Sequence, residues 1–283
     1  AGFQLYRPDG SKMEMTFTYP EVTTIDTFYT NAEGYLITPE TLEYGSGYSL
    51  VEVSAPYGYV LNSDPVYFDV TADNATEESA VTVVEVTKEN MPQKGVIRIG
   101  KTGEVFASVV EKETYQPIYA VQGLPGATYE ITAAEDIYTL DGTLRASAGE
   151  VVDTVTTDDS GMAESKPLYL GKYEIRETEA PYGMVLNTEA HTVELTYAGQ
   201  EVEITETASD FYNERQKVAV SLFKSLEQDE TFGIGMNGEM SAVTFALYAA
   251  EDLTAADGSV IPADGMIEIL SVDADGYGYC GTD

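Results

Sequence analysis

Two stretches of this chain repeat one pattern: YSLVEVSAPYG begins at Tyr48 and YEIRETEAPYG at Tyr173. On an extended strand, side chains alternate between faces, so Tyr48, Leu50 and Glu52 share one face, as do Tyr173, Ile175 and Glu177. A glutamate thus ends an apolar row twice. Each is followed by an asparagine and then a lysine, as Glu52, Asn90, Lys101 and as Glu177, Asn213, Lys224, with 11 residues from Asn to Lys both times. A further marker, an aromatic among alternating apolar residues, occurs as AGFQLY at the start, GATYEI from Gly126 and VTFALY from Val243. Self-similarity of this kind predicts a tandem array. The register predicts one complete unit at 93–216, preceded at 1–92 by a unit without its first strand. At 217–283 it predicts the N-terminal part of a third.

Within each unit the pattern is β. Valine, isoleucine, threonine and tyrosine alternate with charged residues in VIRIGK, KYEIRE, HTVELTY and EVEITET, and NAEG, TLDG, DDSG, AADG and DADG supply turns between them. No stretch carries a helical stripe. Short strands without a βαβ rhythm predict an all-β fold of two-sheet sandwiches. The connections NMPQKG at Asn90 and NERQK at Asn213 are short, and Pro92 stiffens the first, which predicts domains arranged as a rod.

Composition removes several function classes. The 283 residues are 43% hydrophobic, enough for a core in each unit, and a formal charge of −35 is spread along the chain. Nucleic acid and anionic membrane surfaces would be repelled, so neither is expected as a partner. No apolar run approaches a membrane span, no export signal opens the chain, and the single cysteine, Cys280, excludes an internal disulfide framework.

Lysines sharpen the question raised by the glutamates. Alternation groups Ile97, Ile99 and Lys101, and again Val220, Leu222 and Lys224. An ammonium in a core must find a partner or lose its proton, whereas burial drives a carboxyl to keep its own. A neutral amine is a nucleophile, and a carboxamide polarised by a carboxylic acid is an electrophile. Lysine attack on asparagine, with glutamate shuttling protons, would expel ammonia and leave an amide.

The chain resembles tandem B-type domains of collagen adhesins and SpaA-type pilins (CnaB-type domains) from Gram-positive surfaces. The residues that carry this are VIRIGKTGEVF, PGATYEI, TTDDSG, GKYEIRETEAPYG and DFYNE. The resemblance implies an immunoglobulin-like, prealbumin-like sandwich with an isopeptide bond between its first and last strands. It implies Lys101 as nucleophile, Asn213 as acceptor and Glu177 as proton shuttle. Glu52 is the equivalent glutamate of the first unit, with Asn90 its acceptor; Lys224 is the lysine of the third, and neither of these units holds a full trio. It also implies an extracellular, cell-wall-associated stalk, monomeric and without cofactor, catalysing no reaction beyond its own single-turnover bond. Partners would be neighbouring domains of the same protein and, through the full-length protein, a host surface or matrix ligand.

Simpler roles compete for each residue. Glu177 and Glu52 could be tied to backbone amides, Lys101 could reach solvent from a sheet edge, and Asn213 could cap a turn. DADG at Asp273 has the start of a calcium loop but aligns with the turns ending at Gly34 and Gly161, and no metal site is expected. His191, the one histidine, is expected at the surface. The alternative function is a binding module recognising a host matrix protein or glycan, which would need an exposed aromatic cluster confined to one unit.

Overall fold

A computed structural model describes residues 1–72 and 83–281. The first group of strands is β1 (Gly2–Tyr6), β2 (Met15–Phe17), β3 (Thr23–Ile25), β4 (Phe28–Tyr29), β5 (Gly45–Ser54) and β6 (Val66–Val70). The second runs through β7 (Lys94–Glu111), β8 (Tyr115–Gly123), β9 (Thr128–Ala133), β10 (Ile137–Tyr138), β11 (Leu144–Ala146), β12 (Val151–Thr156), β13 (Met162–Glu164), β14 (Leu168–Tyr169), β15 (Gly171–Glu179), β16 (Ala190–Leu195) and β17 (Ile204–Asn213). The third comprises β18 (Ser221–Phe223), β19 (Thr244–Tyr248), β20 (Leu253–Thr254), β21 (Val260–Ile261), β22 (Met266–Ser271) and β23 (Tyr277–Tyr279).

The central group is a sandwich. One sheet has the antiparallel order β12-β9-β15-β16, and β7 organises the other, with β13 and β14 on one edge and β17 parallel to it on the opposite edge. Ile97, Ile99 and Phe211 from this sheet meet Tyr129, Ile131, Tyr173 and Ile175 from the other, all buried. Between them Arg98 points outward and pairs with Glu164 and Glu206, each at 3.1 Å. The row Ile97, Ile99 and Lys101 read from VIRIGK is buried throughout, while on the opposite face Arg98 is exposed and Val96 and Gly100 are covered.

In the first group the sheet β4-β1-β5-β6 repeats the order of β12-β9-β15-β16. Phe3 lies opposite Glu52 as Tyr129 lies opposite Glu177. Its core is Leu5, Met13, Met15, Phe28 and Tyr48. Among the described residues no strand in this group corresponds to β7.

The turns share one device. Asp158 Oδ1 accepts the amides of Ser160 (2.9 Å) and Met162 (3.0 Å), Asn31 Oδ1 those of Glu33 (3.1 Å) and Tyr35 (2.8 Å), and Asp273 Oδ1 those of Asp275 and Tyr277 (2.9 Å each). This is an Asx turn built on the side chain that opens it. DADG thus directs its first carboxylate to its own backbone.

Several contacts join successive groups, among them the bond from the Ala55 amide to Gln200 Oε1 (2.9 Å). Gln93, 1% exposed, donates from its side chain to the carbonyls of Gly199 (2.9 Å) and Val202 and accepts the amide of Ala198 (2.9 Å), while Tyr57 packs on Tyr197 at 4.6 Å between ring centroids. Beyond Gly103, β7 runs on with β8 as a two-stranded arm. The arm's backbone accepts the amides of Ala256 at Phe106 (2.9 Å) and Asp257 at Ala107 (3.1 Å), and Val109 donates to Ser259 Oγ (2.8 Å). Phe106 and Tyr119 of the arm line an apolar cleft with Val220, Leu247, Ile261 and Cys280 of the third group. Cys280 forms no disulfide, as the lone cysteine requires, and its Sγ donates to Glu268 Oε2 at 3.0 Å.

Candidate functional site

The centre of the sandwich holds a lysine. Lys101 is 1% exposed, Glu177 2% and Asn213 1%. β7 brings Lys101 to the end of its buried row, β15 brings Glu177 there from the facing sheet, and β17 places Asn213 beside β7 through their parallel ladder. The amide of Lys101 donates to Gly161 O (2.7 Å), and its carbonyl accepts from Leu124 N (3.0 Å). Gly161, at φ +81, belongs to the TTDDSG turn, and a Cβ there would stand 2.5 Å from Lys101 O. Only a glycine lets that turn lie so close to β7.

The side chains converge on one carboxylate. Lys101 Nζ lies 2.9 Å from Glu177 Oε1 and also donates to Asn213 Oδ1. Asn213 Nδ2 donates to Glu177 Oε1 and Oε2, both at 3.0 Å. The amide of Asn187 donates to Oε2 at 2.8 Å, and the Tyr129 hydroxyl stands 3.5 Å from Oε1, at the outer limit of a hydrogen bond. Tyr129 and Phe211 wall the amine, which lies 5.8 and 5.9 Å from their ring centroids.

Burial holds the Lys101 amine below the ordinary lysine value, against the opposing pull of Glu177. Burial likewise pushes the Tyr129 phenol up, so it stays a neutral donor. A buried ion pair adds little to stability over an apolar pair of the same volume. What the arrangement does provide is a deprotonatable amine, a carboxamide and a proton carrier in contact, all buried from solvent.

The other predicted residues fall into two half-sites. Glu52 is 0% exposed, and its Oε2 accepts Asn90 Nδ2 at 2.7 Å and the amide of Asn62 at 2.9 Å. Lys101 belongs to the central sandwich and does not reach this carboxylate. Lys224 is half-buried, and its amide donates to Gly276 O at 2.8 Å, as that of Lys101 does to Gly161. His191, expected at the surface, is instead half-buried: its ring stacks on Phe211 at 4.0 Å between centroids, and Nδ1 lies 2.8 Å from Ser209 Oγ. Among the described residues no cluster of three or more His, Cys, Asp or Glu could hold a metal.

Tyr129, Phe211 and the Asn187 amide were not singled out from sequence. The amide had a signal, because APYGYVLN and APYGMVLN repeat through Asn62 and Asn187, ten residues after each glutamate.

Comparison with known proteins matches the family described as "SpaA: Prealbumin-like fold domain" twice, at residues 1–90 and 119–208. The chain belongs to this family. The two SpaA-type matches include Glu52 and Asn90 in one and Glu177 in the other. A fimbrial subunit type 1 of Actinomyces viscosus is 35% identical over 101 residues, which cover 34% of this chain and 18% of the relative. Among solved structures, the TIE protein of Bacillus anthracis aligns over 99% of this chain and 39% of its own (21% identity, TM-score 0.48). The full-length major pilin SpaD of Corynebacterium diphtheriae aligns over 46% and 31% (20% identity, TM-score 0.29).

Proposed function

We propose that this chain is a tension-bearing segment of a Gram-positive surface stalk, a pilus or adhesin shaft outside the cell wall. Its central unit, 93–216, is closed by an autocatalytic amide between Lys101 and Asn213. The observation that carries this is the sharing of Glu177 Oε1 by both nitrogens, Lys101 Nζ at 2.9 Å and Asn213 Nδ2 at 3.0 Å. The neutral amine attacks the Asn213 carboxamide carbon. Glu177 takes the proton released by Nζ and delivers it to Nδ2, the C–Nδ2 bond breaks, and ammonia leaves. One amide forms as another is lost, with no oxidant or cofactor. The fimbrial relative supports the surface role, and the family match supports units in series.

A binding module would need an aromatic face confined to one unit. Strongly exposed tyrosines occur in all three groups, as Tyr19 and Tyr35, Tyr138 and Tyr182, and Tyr248 and Tyr279. No group stands apart by this measure, so the stalk is the better supported function.

Intact mass tests the bond. The purified chain should be lighter than its sequence by one ammonia, and a tryptic cross-link should join Lys101 to Asn213. Glu177→Gln should fold and keep the full mass; a variant that still lost ammonia would remove Glu177 from the chemistry.

A further inference from the structure

His191 is the one histidine of the chain, and the ligation chemistry gives it no part. Its place in the fold repeats the logic of the trio. Leu195 and Val193 of β16 face the core, Thr192 and Glu194 face solvent, and His191 ends the inward row as Glu177 ends Tyr173 and Ile175 on β15. β16 and β17 are edge strands of opposite sheets, and among the described residues no backbone ladder joins them. Side chains alone close this seam, and Val193, Thr205, Thr207 and Ser209 along it are only half-buried.

At the level of the trio the closure is an aromatic stack. The imidazole lies on Phe211 at 4.0 Å between centroids with 19° between planes, and Phe211 meets Tyr129 at 4.8 Å. Phe211 is 2% exposed, and its centroid stands 5.9 Å from Lys101 Nζ. A single ring thus links the seam to the wall of the amine. Ser209 Oγ, 2.8 Å from Nδ1, tethers the imidazole across the seam. An imidazole can stack on an apolar ring with its face while its half-exposed edge makes a hydrogen bond. Glu177 is the one charged side chain in the inward rows of β15, β16 and β17, and the Tyr129 phenol on β9 is the other titratable group near the amine.

We infer that His191 is a positioning residue for ligation, an inference that rests on the bond proposed above. Tethered to Ser209, it holds Phe211 in the wall of the Lys101 pocket and shuts the seam, so the amine stays dry. Exclusion of water is what favours the neutral, nucleophilic amine over the ammonium. The imidazole acts through Phe211 and carries no proton for the reaction, so its ring matters and its basicity does not.

The test follows ammonia loss by mass spectrometry in chain recovered unligated from inclusion bodies, on first folding at a series of pH values. His191→Ala should move the pH at which the rate levels off upward by about one pH unit, toward 10.5, and slow ligation at pH 7 about tenfold, because the neutral fraction falls in proportion. His191→Phe keeps the stack and should level off where the unsubstituted chain does. Circular dichroism shows that each variant folds. In an Asn213→Ala background, where no amide can form, acetic anhydride should label Lys101 faster once His191→Ala is added, which reads exposure of the amine apart from the chemistry. A rate lowered equally at every pH, with the level-off unmoved, would make His191 a residue of stability alone and overturn the inference. So would a His191→Phe chain that shifts as far as His191→Ala. Unchanged ligation together with unchanged labelling overturns it and leaves the Lys101–Asn213 bond standing, whereas no ammonia lost from the unsubstituted chain overturns the bond and this role together.

Discussion

At the scale of single residues, the competition at Lys101 decides what the site can do. Glu177 alone would hold the amine protonated, but the loss of water around it is the larger effect and lowers its pKa. Attack needs the neutral amine, so in chain recovered unligated from inclusion bodies, ligation on first folding should quicken as pH rises and level off below 10.5, the ordinary lysine value. Mass spectrometry of samples quenched over time gives the rate at each pH; a rate still climbing beyond 10.5 would mean an amine in contact with water. Lys101, Glu177 and Asn213 were legible because a charged or amide residue at the end of an apolar row contradicts local rules twice, at matching intervals. The Asn187 amide was legible only as a position, because APYGYVLN and APYGMVLN repeat through Asn62 and Asn187 while a backbone donor shows nothing of its role in its side chain. Tyr129 was hidden differently: in GATYEI it reads as an ordinary core aromatic, and only the fold turns its hydroxyl toward Glu177.

At the scale of elements, strands were legible wherever one face meets the core and the other meets solvent. The exact length of β7 was not. Its first half is buried except at Arg98 and Thr102, which face solvent, but from Val105 to Val109 every residue is half-buried, since the arm is covered partly on both faces. Period-2 patterning vanishes there, although the strand continues. The TTDDSG turn was legible as a turn, and its contact with β7 was not. Gly161→Ala should test that contact. A non-glycine residue in this conformation costs of order 1–3 kcal/mol, and the added Cβ would also press on Lys101 O at 2.5 Å. Expected are a lower urea midpoint when Lys101→Ala removes the cross-link from both backgrounds, and slower loss of ammonia in the otherwise intact chain. An unchanged rate would show that the turn does not position the amine.

At the scale of the whole molecule, a Lys101–Asn213 amide would enclose a sequence separation of 112. By analogy with a disulfide of that span, restriction of the unfolded chain is worth about 4–5 kcal/mol. Pulled singly, the ligated chain should withhold the contour of that loop, roughly 380 Å at about 3.4 Å per residue, and Asn213→Ala should release it. Optical-tweezer traces in which both proteins extend equally would leave the stalk without its lock. β7 has a further consequence at this scale. It starts beside Gln93, whose side chain grips the loop that leads into β17, passes Lys101, and ends in an arm hydrogen-bonded to Ala256 and Asp257. The junctions are therefore overlapped, in the manner of staggered planks in a hull. A crack opening at the seam between the second and third groups must also peel the arm away, so the seam should fail gradually under load instead of parting at a single plane.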